Sequence, residues 1–161
     1  MTGKIITAMI DYYKGDVKRI NHFMKVYAFA KSIGEEEGLE SKTQNILEIA
    51  AIVHDIGIKL SEEKYNSSAG KYQEMEGPAE AERLLIDLGV NSDVIRRVCY
   101  LVGHHHTYKN IEGMDYQILV EADFIVNIYE DNESKKAVRK IYDSIFKTVT
   151  GKKYIKDLFL N

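Results

Sequence analysis

Proline and cysteine each occur once in the 161 residues, and each scarcity narrows the fold. With a single proline and no segment alternating apolar and polar residues at period two, nothing proposes a sheet; helical spacing recurs instead. A lone cysteine excludes an internal disulfide. Cys99 lies in the apolar run Val98-Cys99-Tyr100-Leu101-Val102 and reads as a small core residue. No apolar run approaches the roughly 18 residues that cross a bilayer, and Met1 to Ile10 carries no sustained apolar region or small-residue cleavage site. A cytoplasmic protein without a membrane partner is therefore expected. Excess charge of one sign is also missing. The formal net charge is −3 with no basic stripe, so a nucleic-acid partner is not expected, while a small nucleotide needs only a few placed cations.

What is present suits one soluble domain spanning residues 1–161: 45% hydrophobic and 29% charged residues, enough for a real core. The reading is all-α. A short helix is expected over Ile5–Tyr13, and Asp16 caps a longer one running to about Glu37, with apolar residues from Val17 to Ile33 at three- and four-residue steps. Ser41 is expected to cap the next, which ends at His54-Asp55. Residues 56–77 read as a long loop around Ser67-Ser68-Ala69-Gly70, such as a lid. Gly77-Pro78 should start a further helix, with proline at its first position and Gly89 closing it. Asn91-Ser92 caps the helix that runs into His104-His105-His106, and Asp115 caps Tyr116–Asn127. A last amphipathic helix over Asn132–Val149 precedes an apolar tail at Tyr154, Ile155, Leu158 and Phe159.

The stretch Ala50-Ala51-Ile52-Val53-His54-Asp55-Ile56-Gly57-Ile58-Lys59 carries the chemistry. An apolar helix closes on two metal-type ligands and breaks at a glycine. Neighbouring helical side chains point about 100° apart, which discourages a shared ion in mid-helix; at a terminus freed by Gly57 the objection weakens. The five histidines all fall at His22, at His54 and in the triple His104-His105-His106, and Asp123 lies inside the apolar run Leu119–Val126. An unpaired carboxylate there would be costly, so Asp123 must be paired, hydrogen-bonded or metal-bound. Mixed imidazole and carboxylate sets with an open position suit catalytic divalent ions. Thr150-Gly151-Lys152-Lys153 lacks the earlier glycine and the preceding strand of a phosphate loop and is rejected as one.

This series resembles the HD superfamily of metal-dependent phosphohydrolases: His22 on one helix, the His54-Asp55 doublet ending the next, and Asp123 far downstream. The resemblance spans about residues 16–130 and implies a helical bundle of five core helices with extra terminal ones. It implies that His22, His54, Asp55 and Asp123 bind one divalent ion (manganese, iron, nickel, cobalt, zinc or magnesium), with a second ion a further option. Gln73 stands where some relatives carry a histidine, which weakens that second site, and Glu74 beside it is a candidate ligand or base. Metal-assisted hydrolysis of a small phosphorylated substrate follows, a nucleotide or a sugar phosphate, with Lys59 and Arg19 countering phosphate charge. His104 or His105 would protonate the leaving oxygen, and His105 and His106 would contact substrate. Two other functions fit the same residues: a diiron oxygenase of HD type, and a regulatory module that binds a nucleotide without turning it over. The sequence leaves a homo-oligomer open.

Overall fold

A computed structural model describes all 161 residues and is helical from end to end, with no strand. Nine helices follow in order: α1 (Thr2–Tyr12), α2 (Val17–Glu36), α3 (Ser41–Val53), α4 (Ile58–Tyr65), α5 (Gly70–Asp87), α6 (Ser92–Val102), α7 (Met114–Glu130), α8 (Lys135–Ser144) and α9 (Val149–Ile155). A single π-helical turn, Lys156–Leu160, ends the chain. No helix is long and apolar enough to cross a membrane.

Helices α3 and α7 sit at the centre because they are apolar nearly all round. In α3, Ile49 to Val53 are all fully buried; in α7, Tyr116 to Ala122 are buried without a break apart from a 9% exposed Gln117. Around this pair, α2 packs on both, α6 packs on α3, and α5 packs on α6; α1, α4, α8 and α9 lie outside this five-helix core. The all-α bundle of five core helices with extra terminal ones anticipated from the sequence is thus the fold observed.

Local chemistry accounts for most helix ends and for four departures from the sequence reading. Asp16 caps α2, its carboxylate accepting from the Arg19 amide, and Asn91 caps α6 through the Asp93 amide. For α3 the cap is Glu40 rather than Ser41: its carboxylate accepts from the Lys42 and Thr43 amides. For α7 it is Gly113, at φ 86°, rather than Asp115. Asp115 instead receives a two-pronged hydrogen bond from Arg97 at 2.9 and 2.8 Å, tying the 103–113 turn to α6.

The third departure is the largest. Residues 56–77 are not a loop: α4 and the first two turns of α5 occupy them, joined at Asn66 (φ 51°) and Ser67–Ala69. The charges at Glu62, Glu63 and Lys64 are the solvent face of α4, whose Ile58 and Ser61 turn inward. Pro78 consequently lies inside α5 rather than at its start. Gly57 explains the close approach of the two helices. A Cβ there would lie 2.6 Å from the Gln73 carbonyl oxygen and 2.8 Å from the Gly77 nitrogen, both backbone. Gly57→Ala must push α4 off α5, and overpacking against backbone costs about 3 kcal/mol. A fall in urea midpoint without a change in the slope of the transition would record it.

The fourth concerns the C-terminal region. The expected helix Asn132–Val149 breaks after Ser144, and Thr148 caps a separate α9. The break is caused by Glu121, fully buried in α7, which accepts hydrogen bonds from the amides of Lys147 and Thr148, from Thr148 Oγ1 and from Gln117 Nε2. The tail then docks through Ile155 and through Tyr154, whose hydroxyl lies 2.6 Å from Ser32 Oγ.

Candidate metal centre

His22 lies in the second turn of α2, His54 caps the C-terminal end of α3 with Asp55 next to it, and Asp123 stands in the third turn of α7. Helix packing brings them together. His22 Nε2 is 3.1 Å from Asp123 Oδ1 and 3.2 Å from Asp55 Oδ2, while His54 Nε2 is 3.4 Å from each of the same two oxygens. The two Nε2 atoms are 3.3 Å apart.

The opposite edges of the rings fix their proton positions. His54 Nδ1 lies 2.7 Å from the Ala51 carbonyl, and His105 Nδ1 lies 2.8 Å from the Val102 carbonyl. Each ring thereby satisfies a carbonyl at a helix C-terminus that has no partner within its helix. His22 Nδ1 lies 2.6 Å from Glu130 Oε1. All three Nδ1 atoms are placed to donate, so in the neutral ring each Nε2 carries the lone pair. The Nε2 atoms of His22 and His54 face each other and two carboxylates, an arrangement that holds together only with a second proton on the rings or a cation among them. His105 Nε2 is buried without any hydrogen-bond partner and faces Asp55 Oδ1 at 3.4 Å. Such a donor set fits a cation, and carboxylate-supported imidazole is the usual way a ligating histidine is oriented.

Electrostatics states the same demand. Burial opposes charge on His54, but the Asp55 and Asp123 carboxylates outweigh it and raise its pKa well above that of free imidazole; His22 moves the same way despite burial, through Asp123 and Asp55. Burial alone would raise the two carboxylates, yet the neighbouring histidines hold both below the ordinary range. The pocket requires positive charge, from protons or from an ion. His106 differs: burial, with His105 alongside, pushes its pKa down to about 4. A neutral imidazole suits a ligand or hydrogen-bond donor better than a general acid.

Two clusters can each hold an ion, His22 with His54 and Asp123, and Asp55 with His105 and His106. Asp55 stands between them, Oδ2 turned to the first and Oδ1 to the second. Gln73 is near the second cluster. Its Oε1 is 2.9 Å from His106 Nε2, and its own amide donates to the Ser68 carbonyl at 2.7 Å.

A cleft of about 450 Å³ opens in front of the centre. Of the remaining sequence candidates, Arg19 lines this cleft but is paired with Asp16 and Glu62. Lys59 is exposed and lies over the Tyr12 ring, 5.0 Å from its centre, outside the cleft. Glu74 accepts from Thr107 Oγ1, and His104 stacks on Tyr100 at 4.0 Å; neither joins the clusters. His105 is fully buried. Sequence reasoning missed Lys18, which lines the cleft, and Glu130, which holds His22. Glu130 had a signal: it follows Asp123 by seven residues, two turns along one face of α7. Glu130→Ala is expected to weaken metal binding about 10- to 100-fold while leaving every ligand in place; competition against a metallochromic chelator would measure it.

A family model for the HD domain matches residues 19–147. Among solved structures, the crystal structure of a predicted HD superfamily hydrolase from an uncultured Thermotogales bacterium superposes with a TM-score of 0.68, covering 96% of this chain and 82% of that one at 20% identity. That likeness is one of fold. No curated protein matches. The family match spans most of the chain and contains all six residues of the two clusters that could hold an ion; the chain belongs to the HD domain family.

Proposed function

We propose that this protein is a metal-dependent phosphohydrolase acting on a small phosphate ester. The observation that carries the reading is the convergence of two imidazole Nε2 atoms and two carboxylates on one point that demands positive charge, with a third Nε2 unpartnered beside it, at the floor of an open cleft. A divalent ion held there supplies an acidified water and polarises phosphoryl oxygen. His22, His54, Asp55 and Asp123 would hold the first ion, and Asp55, His105 and His106 a second, weaker one lacking a fourth side-chain donor.

The chain supplies the rest. Glu130 and the Ala51 and Val102 carbonyls keep the ligating imidazoles in one tautomer. Lys18, at the N-terminal turn of α2, places positive charge beside an incoming phosphate, where the helix N-terminus adds its own partial charge, while Arg19 next to it is paired with Asp16 and Glu62. His105, buried behind Asp55, faces ion rather than substrate; contact with substrate falls to His106.

Metal analysis of anaerobically purified protein, followed by phosphate release from p-nitrophenyl phosphate after loading with manganese, nickel or cobalt, tests the reading. Metal-dependent release is expected; a metal-loaded protein that releases no phosphate from any ester would overturn it. The placement of Asp55 between two clusters also suits a pair of irons. Two irons per chain, with substrate-dependent oxygen uptake and no phosphate release, would establish the oxygenase instead.

A further inference from the structure

The cleft walls beyond the metal-facing groups are almost entirely polar, with Ile58 their one hydrophobic member. We infer that the site takes the phosphate monoester of a small polyhydroxylated alcohol, a sugar or polyol phosphate, and discriminates against nucleotides; this rests on the phosphohydrolase reading.

Three observations carry it. A nucleobase needs a flat apolar face, and tyrosine is the residue that would provide one. The nearby tyrosines are engaged elsewhere: Tyr65 stacks on Tyr72 at 4.2 Å, Tyr100 on His104 at 4.0 Å, and Tyr108 packs on Phe124 at 5.1 Å. None lines the cleft.

Charge sets the second limit. Two cations line the cleft, and Arg19 is already paired with Asp16 and Glu62, which leaves Lys18. Glu130 and Asp131 line the same cleft, Glu130 held against His22 and Lys25. One ammonium and a bound ion can answer a single phosphoryl group. The further charges of a di- or triphosphate would meet carboxylates, and like charges brought together oppose binding.

The third observation is the pattern of hydrogen-bonding groups. Asn127 follows Asp123 by one helical turn and Asp131, the C-cap of α7, follows Asn127 by another, so this helix and its cap lay an amide and a carboxylate along the cleft, with Ser68 also in its wall. An amide both donates and accepts, a carboxylate accepts, and each alcohol hydroxyl does both. A row of hydroxyls matches this wall, and a heterocycle does not.

The test compares glucose 6-phosphate and glycerol 3-phosphate with AMP and ATP on the manganese-loaded full chain, reading phosphate release and ligand-induced shifts in Tm. The polyol esters are expected to exceed AMP in kcat/KM by at least ~10-fold and ATP by ~100-fold, and to raise Tm more. Asn127→Leu should erase most of that preference by raising KM for glucose 6-phosphate with little change in kcat. A preference for AMP or ATP, or a ratio unmoved in Asn127→Leu, overturns the inference. p-Nitrophenyl phosphate separates the two levels. Release from it and from nucleotides but not from polyol esters sinks this inference alone, whereas no release from any ester sinks the phosphohydrolase reading and this one with it.

Discussion

Asp123→Ala is expected to abolish stoichiometric metal binding and metal-dependent turnover in a protein that still folds. Loss of a partner one bond removed from the ion costs about 10- to 100-fold in affinity, and loss of a ligand itself must cost more. The fold should survive because position 123 is interior to α7, where alanine is the best helix former, and because the variant removes one of two neighbouring buried carboxylates. The readout that separates a ligand from a merely structural residue is thermal. An ion at 100 times its dissociation constant stabilises the loaded protein by about 2.7 kcal/mol. For a chain of this size that shifts Tm by roughly 5–10 °C. Wild-type protein should show this rise on adding manganese and Asp123→Ala should not. A variant that keeps the ion, or keeps turnover, removes Asp123 from the centre.

The largest loss of stability is expected at a residue that touches no ligand. Glu121→Ala strands the Lys147 and Thr148 amides and the Thr148 hydroxyl, all previously satisfied by one buried carboxylate, and leaves the Gln117 amide with the Ile145 carbonyl alone. Buried donors left without acceptors cost about 1–3 kcal/mol each, and with partial relaxation the sum should be about 4 kcal/mol. That corresponds to a fall in Tm of roughly 10 °C. Glu121→Gln keeps the volume and one carbonyl oxygen and should lose about half as much. Because α9 is held by this carboxylate, hydrogen exchange should rise first at Lys147–Gly151, before the core amides of α3 and α7. Uniform exchange across the chain would mean that α8 and α9 are not pinned there.

These two residues show what was legible in the sequence. Glu121 and Asp123 are both acids set in one apolar run, and burial of each followed from that run alone. Which one faced the histidines did not: the faces of α7 were settled by α2 and α3 on one side and the 145–148 turn on the other. His22, His54 and Asp55 were readable because each stood out chemically against an apolar or helix-ending context. The capping role of Asp16 was readable for the same reason. Lys59 and Glu74 were not separable from surface residues, since a helix in place of a loop at 56–77 turned Lys59 to Tyr12 and Glu74 to Thr107. The helix there was hidden by Pro78 and by a charged face, and what stabilises it is the backbone contact at Gly57, which no single-residue preference records. Lys18 became visible only with α2 lining the cleft, and the heptad spacing of Glu130 from Asp123 took on meaning only with α2 and α7 side by side.

The ligands that meet at the centre are drawn from distant points in the chain, with His22 and Asp123 separated by 101 residues. An ion between them closes a covalent-like loop over most of the molecule, in a chain whose one thiol gives it no disulfide to do so. Closing a loop of that length on a disulfide is worth several kcal/mol through the unfolded chain alone, and a coordinate clasp acts on the same entropy while it remains bound. The centre is then also a reversible crosslink. If an ion is held there, chelation should speed unfolding and proteolysis of the whole bundle rather than loosen one site, so the protein's lifetime would follow the supply of that ion.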